Sequence, residues 1–292
     1  MGRKAIALFC ALALAASWAI QIALINTIGM DADAASLVLV GVMWTPTLLA
    51  LGFLLFHKPA RQGLAWKLGK LSYWPLGVLY ACAITFACVW LFLDQGWATT
   101  DWFAFSSAGV DVSGGPWLLG KGAQAWPLFV ANVLVTAGAF AAMNLVAAAG
   151  EEFAWRGFLQ GHMVREFGIG KAIVLLGTFW SFWHLPMLLM GYNHPENPIL
   201  GSFVLSPLEL VGVSFFYAWL TIRSGSFWPA ALAHGAGNSI QEGVISHLHL
   251  TVPALYSSLF QTGAAVAVGL VCWAALAMGR RRQPAPSRAA YA

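Results

Sequence analysis

The residues of this chain able to move protons or hold developing charge fall in three short stretches. Glu151, Glu152 and Arg156 lie in Gly150–Glu151–Glu152–Phe153–Ala154–Trp155–Arg156–Gly157. His184 closes Phe179–Trp180–Ser181–Phe182–Trp183–His184, ahead of Leu185–Pro186, and His234 and Asn238 belong to Ala233–His234–Gly235–Ala236–Gly237–Asn238. All three adjoin or lie within long apolar runs. An ionised side chain near the middle of a membrane helix costs roughly 2.5–3.5 kcal/mol on insertion scales, so such groups usually pair or do chemistry. A carboxylate can take a proton from water and return it to a leaving amine. Histidine and asparagine can stabilise the oxyanion formed on a carbonyl. Together these are the groups that peptide hydrolysis needs.

The same residues admit a metal. Glu151, His184 and His234 make a set of two imidazoles and a carboxylate, sufficient for zinc. Asn238 favours the metal-free scheme, because an amide is a poor zinc ligand and a good oxyanion donor. In that scheme His184 orients Glu151 and the attacking water, while His234 and Asn238 hold the oxyanion.

Helical spacing divides the labour within the first stretch. Glu152 and Arg156 are four apart and share a face, so they can pair. Glu151 is turned by about 100° from its neighbour and points elsewhere. Glu152 and Arg156 are thus expected to be scaffold and Glu151 the working group. His234 and Asn238 are also four apart and project from one face, and Gly235 and Gly237 leave room for another backbone. Pro186 frees a backbone carbonyl near His184. The plainer readings are a helix end at the membrane surface for the glutamates and packing contacts for the histidines and asparagine. His247 and His249 fall in an outer loop and read as solvated. Glu209 and Glu242 receive no role.

The elements that must position these groups are membrane helices. Of 292 residues, 60% are hydrophobic and 9% charged, against about 25% charged in an ordinary soluble domain. Apolar spans are expected at about Ala5–Ile25, Ser36–Phe56 (with a kink at Pro46), Tyr73–Leu93, Pro127–Ala149, Ala172–Met190, Ser202–Ile222, Trp228–Ile245 and Ala254–Met278. The first is long enough to span and reads as an uncleaved helix rather than a signal peptide. Between the third and fourth, Asp94–Trp126 is rich in aromatics and glycines, which suggests a segment lying on the bilayer interface.

Arg3/Lys4, Lys58–Lys70, Arg165/Lys171, Arg223 and Arg280–Arg282 alternate with the acidic groups Asp31/Asp33, Asp94–Asp111 and Glu196. Basic loops stay cytoplasmic, so the expectation is an all-α polytopic membrane protein of eight helices, both termini inside, with a catalytic cavity in the bundle. It reads as one integral membrane domain over 1–282 with a short cytoplasmic tail, 283–292. The net charge of +4 does not imply nucleic-acid binding, because the basic residues sit in short loops and the tail. Cys10, Cys82, Cys88 and Cys272 all lie in apolar segments without metal-ligand spacing. No His-Glu-x-x-His helix or Gly-x-Ser-x-Gly elbow occurs, and the aspartates lie in loops.

The order Glu-Glu-x-x-x-Arg, x-x-x-x-His, His-x-x-x-Asn resembles that of the CAAX protease and bacteriocin-processing family of intramembrane proteases. Glu151, Glu152 and Arg156 match its first motif, His184 its second, and His234 with Asn238 its last. The resemblance runs over roughly Leu145–Ile240, within a core of about 127–245. One position departs: the family's motif has phenylalanine four residues before the histidine, and here Trp180 stands there. The expected consequence is for pocket shape rather than chemistry.

The resemblance implies an intramembrane endopeptidase, with Glu151 activating water, located in the bacterial plasma (inner) membrane. Its substrate would be a peptide or protein, lipid-modified or membrane-delivered and cut near its C-terminus, and its other partners membrane lipids. The competing class is a non-enzymatic membrane protein: an immunity factor, a scaffold or a proton-coupled transporter.

Overall fold

A computed structural model describes residues 1–29 and 33–281. Asp31, Arg282 and the tail Gln283–Ala292 lie outside the described residues. The chain opens with α1 (Arg3–Thr27), α2 (Asp33–Phe56) and α3 (Trp74–Asp94). Pro46 lies inside α2, which continues through it as one helix. A cap of short strands follows, and then α4 (Trp126–Glu152). A π-helical turn, Phe153–Leu159, joins α4 to α5 (Gln160–Phe167). Next come α6 (Ile169–Trp183), α7 (Leu185–Leu189), α8 (Pro198–Leu200) and α9 (Ser206–Ser224), with a second π turn at Gly201–Leu205. The chain then forms α10 (Trp228–Ala236), a third π turn (Gly237–Gln241), α11 (Glu242–Ile245) and α12 (Leu255–Arg281). Several helices place proline in the first turn, at Pro75, Pro127, Pro207 and Pro229. A missing N–H costs nothing there and the fixed φ suits the helix.

Among the described residues, six helical stretches are long and apolar enough to cross a membrane: Arg3–Thr27, Leu37–Phe56, Leu71–Asp94, Trp126–Phe167, Pro198–Ser224 and Leu255–Met278. The molecule is an all-α polytopic membrane protein with two small sheets. The other two expected spans are built differently. The fifth is the 15-residue α6, ending before His184 and followed by α7. The seventh is divided among α10, a π turn and α11. The fourth does not stop at Ala149: helical structure runs on through both glutamates to Phe167.

The aromatic connection after α3, expected at the bilayer interface, folds into short strands. β1 (Ala98–Thr99) pairs antiparallel with β5 (His249–Leu250). β2 (Phe103–Phe105), β3 (Gly109–Val112) and β4 (Gly122–Ala125) form a three-stranded antiparallel sheet in that order. Val110 and Val112 are buried and Asp111 between them is exposed, the two-residue alternation of a half-buried strand. Phe103, Val110, Val112 and Trp117 pack with Val78, Phe129 and Val133 of α3 and α4. Buried Asn132 of α4 ties the cap down, accepting from Leu119 N at 2.9 Å and donating to Gly120 O at 2.9 Å. The aromatics at 103 and 117 therefore fill a core between cap and helices.

His247 and His249 belong to this region and are exposed, as expected, with contacts of their own. His247 stacks on Trp102 with ring centroids 4.1 Å apart, and His249 faces Asp101 at 3.1 Å.

Candidate active site

Each polar group of the site sits where an α-helix ends or changes pitch. Glu151 and Glu152 are the last residues of α4, just before the π turn Phe153–Leu159. Asn238 lies in the π turn Gly237–Gln241, directly after the helix that carries His234. Single π turns within helices are rare and gather at functional sites. His184 occupies the break between α6 and α7.

That break has a cause legible in the chain. Pro186 has no N–H to give to Phe182 O, four residues earlier. Trp18 of α1 supplies the missing donor from its indole at 3.0 Å. Gln21, one turn on, donates to Trp183 O at 2.9 Å. The first helix thus satisfies the carbonyls that the break releases.

The two glutamates have different surroundings. Glu152 is fully buried, and its Oε1 accepts from Arg156 Nη1 at 2.8 Å and from His234 Nδ1 at 3.0 Å. Arg156 also donates to Ser214 Oγ at 2.8 Å and lies over the rings of Trp180 and Tyr217, 4.3 and 5.1 Å from their centroids. Glu152 Oε2 and Arg156 Nε have no hydrogen-bond partner among the described residues. Glu151 Oε2 accepts from the indole N–H of Trp180 at 2.6 Å and, more weakly, from that of Trp155 at 3.4 Å. His184 donates Nδ1–H to Trp180 O at 2.9 Å.

These groups meet at one cavity of about 460 Å³. Glu151, His184, His234 and Asn238 line it, with Trp180 in its wall. Glu152 and Arg156 are not among the lining residues and lie behind it. Gly235, as expected, lets a neighbour approach: a Cβ there would come within 2.9 Å of Ala141 O on α4. Gly237 packs against nothing within 4 Å, so the room read at that position is not used.

Several lining residues were missed or left without a role in the sequence. Glu209 and Glu242 line the same cavity, as do Tyr192 and His194 of the loop after α7. The Glu242 carboxylate, then burial, pushes the Tyr192 phenol above its ordinary value. A lone acid within an apolar helix was the available signal for Glu209; the loop residues offered none.

Trp180 does more than shape the pocket. Its departure from phenylalanine was expected to affect shape alone, yet its indole bonds Glu151 directly. Phenylalanine has no donor to offer there.

The fit of a metal can be read from the donors. His184 and His234 have their Nδ1 atoms engaged by Trp180 O and Glu152, and Glu151 has one oxygen held by two indoles. Among the described residues, no three His, Cys, Asp or Glu side chains gather to hold a metal ion. The Nδ1 bonds leave His184 Nε2, His234 Nε2 and Glu151 Oε1 as the donors open to a zinc ion. Such second bonds are what usually hold metal-binding imidazoles in place.

Residues 123–240 match the family described as type II CAAX prenyl endopeptidase Rce1-like. Over this segment the chain is similar to that family. The segment contains Glu151, Glu152, Arg156, His184, His234 and Asn238. A stretch of 50 residues is 36% identical to the CAAX prenyl protease 2 of Methanococcus maripaludis. That alignment spans 17% of this chain and 18% of the relative. The matched segment thus holds every polar group of the motifs, while α1, α2, α3, α11 and α12 lie outside it.

Proposed function

We propose that this protein is an intramembrane endopeptidase in which Glu151 activates water. The observation that carries the reading is the shared cavity: a carboxylate with one oxygen anchored, two histidines and an asparagine all line it. The matched segment supports the same class of chemistry.

Glu151 takes a proton from water through Oε1, the oxygen left by the indole bonds, and the water oxygen adds to the peptide carbonyl. His184, with Nδ1–H committed to Trp180 O, presents Nε2 as an acceptor that orients the water. The carbonyl oxygen becomes an oxyanion, to which Asn238 donates its amide N–H. His234 donates as well when Nε2 carries a proton, with Glu152 balancing the charge at Nδ1. Glu151 then delivers its proton to the amine as the C–N bond breaks. No step passes through a metal.

The substrate is a membrane-delivered peptide cut near its C-terminus, prenylated or otherwise lipid-modified. That reading draws on the similarity to the CAAX prenyl endopeptidase family and to a CAAX prenyl protease. The location is the bacterial plasma membrane, with both termini cytoplasmic.

The test is cleavage of prenylated and unmodified membrane peptides by protein in proteoliposomes. Wild type should cut, and Glu151→Gln should lose at least about 100-fold, the scale of general acid–base catalysis. Full activity with well under one metal per chain is expected from elemental analysis. Stoichiometric zinc, lost with activity and restoring it, would replace the metal-free scheme. Peptide-coupled proton flux without cleavage would overturn the reading in favour of a transporter.

A further inference from the structure

Trp180 touches more of the site than any other residue. Its N–H donates to Glu151 Oε2 at 2.6 Å, and its carbonyl accepts from His184 at 2.9 Å. Its ring face receives the Arg156 guanidinium at 4.3 Å, and its centroid lies 5.3 Å from that of His234. The side chain is almost fully buried, so a water molecule cannot readily replace these contacts.

We propose that Trp180 is a positioning residue for Glu151: its indole N–H locks one carboxylate oxygen and leaves the other aimed at the water. The proposal rests on the reading of Glu151 as the base. A carboxylate free to rotate presents either oxygen in many directions, and small misplacements of a reacting group are costly in rate. A short hydrogen bond to an ionised acceptor in a buried site is among the stronger kinds. Trp155 donates to the same oxygen but at 3.4 Å, so it is a secondary restraint.

Arg156 strengthens the lock. A cation over the indole face draws electron density from the ring, which makes the N–H a better donor. The buried Glu152–Arg156 pair therefore acts on Glu151 through Trp180, although the two carboxylates do not share a partner. Were Trp180 only filling space, nothing would require its single polar atom to point at Glu151.

The test measures kcat and KM separately for Trp180→Phe and for a variant carrying benzothienylalanine at 180, in the same proteoliposomes, with Glu151→Gln beside them. Benzothienylalanine keeps the bicyclic outline and replaces N–H by sulfur, so it decides the matter if the phenylalanine variant folds poorly. Both should lower kcat roughly ten- to hundredfold, as expected for one charged hydrogen bond, with KM within about twofold. Wild-type kcat in the benzothienylalanine variant, with Glu151→Gln inactive, would overturn the role of Trp180 and leave Glu151 as the base. A raised KM at unchanged kcat would overturn it too, assigning the ring to pocket shape. Activity retained in Glu151→Gln would instead sink the reading on which the proposal stands.

Discussion

Glu151 and Glu152 are adjacent in the chain, but only Glu151 reaches the cavity. Glu152 holds Arg156 at 2.8 Å and His234 at 3.0 Å in a fully buried cluster. Removing one partner of a buried ion pair typically costs about 3–5 kcal/mol, because the other charge stays buried. Glu152→Gln should therefore lower the unfolding temperature and the yield of folded protein, read by thermal melts in detergent. Glu151→Gln keeps its volume and its indole contacts to one side-chain oxygen, so its melt should stay close to wild type while cleavage is lost. The reverse pattern, a stable but inactive Glu152→Gln beside an active Glu151→Gln, would exchange the two assignments.

At the scale of elements, the loop after α7 is the part of the cavity wall with a titrating latch. His194 is buried, and its Nδ1–H donates to Ser258 Oγ at 3.2 Å; Ser258 donates in turn to Glu196 Oε1 at 3.2 Å. Burial pushes the His194 pKa below its ordinary 6.5, outweighing the opposite pull of Glu196. The folded loop thus prefers the neutral ring, whereas the open loop titrates near the ordinary value. The latch's contribution is complete above about pH 6.5 and is lost as pH falls below it. Hydrogen exchange across Tyr192–Asn197, corrected for intrinsic rates, should show more frequent opening on the acid side. His194→Gln should flatten that dependence; an unchanged pH profile in this variant would remove His194 as its cause.

Across the whole molecule, the loops sort by charge at two ends. Arg3 lies 3.5 Å from Glu166, and Arg165 donates to Gln62 O at 3.3 Å. Lys70 N donates to Ser224 O at 2.9 Å. These contacts join the basic loops into one end of the bundle. The opposite end gathers Asp101 with His249 and pairs β1 with β5. The cavity runs from Glu151 towards Tyr192–Pro195 and Ser246, on the side of the cap. Basic loops stay cytoplasmic, so single cysteines placed in the cap, in a cysteine-free background, should react with an impermeant reagent from outside. Labelling of the cap only from the cytoplasmic side would invert the orientation.

What the sequence by itself determined is what depends on local spacing. Apolar runs of spanning length mark membrane helices, and four-residue separation on a helix brings Glu152 to Arg156 and turns Glu151 away. Pro186 marks a freed carbonyl near His184, because a missing N–H acts on its own helix. The span was expected to run on to Met190 and instead divides at His184. Aromatic density pointed Asp94–Trp126 to the bilayer interface, but that the segment folds into paired strands was not read from it. Contacts between distant parts of the chain were decided only by tertiary structure. Glu152 meets His234 across 82 positions, and Trp180 meets Glu151 across 29. Ala98 pairs with Leu250, and Glu209 and Glu242 turn into one cavity from different helices. Periodicity assigns a residue to a face of its own helix. Which neighbour that face meets is set by how the helices pack, and a side chain such as Trp180 acquires its hydrogen-bond partner only there.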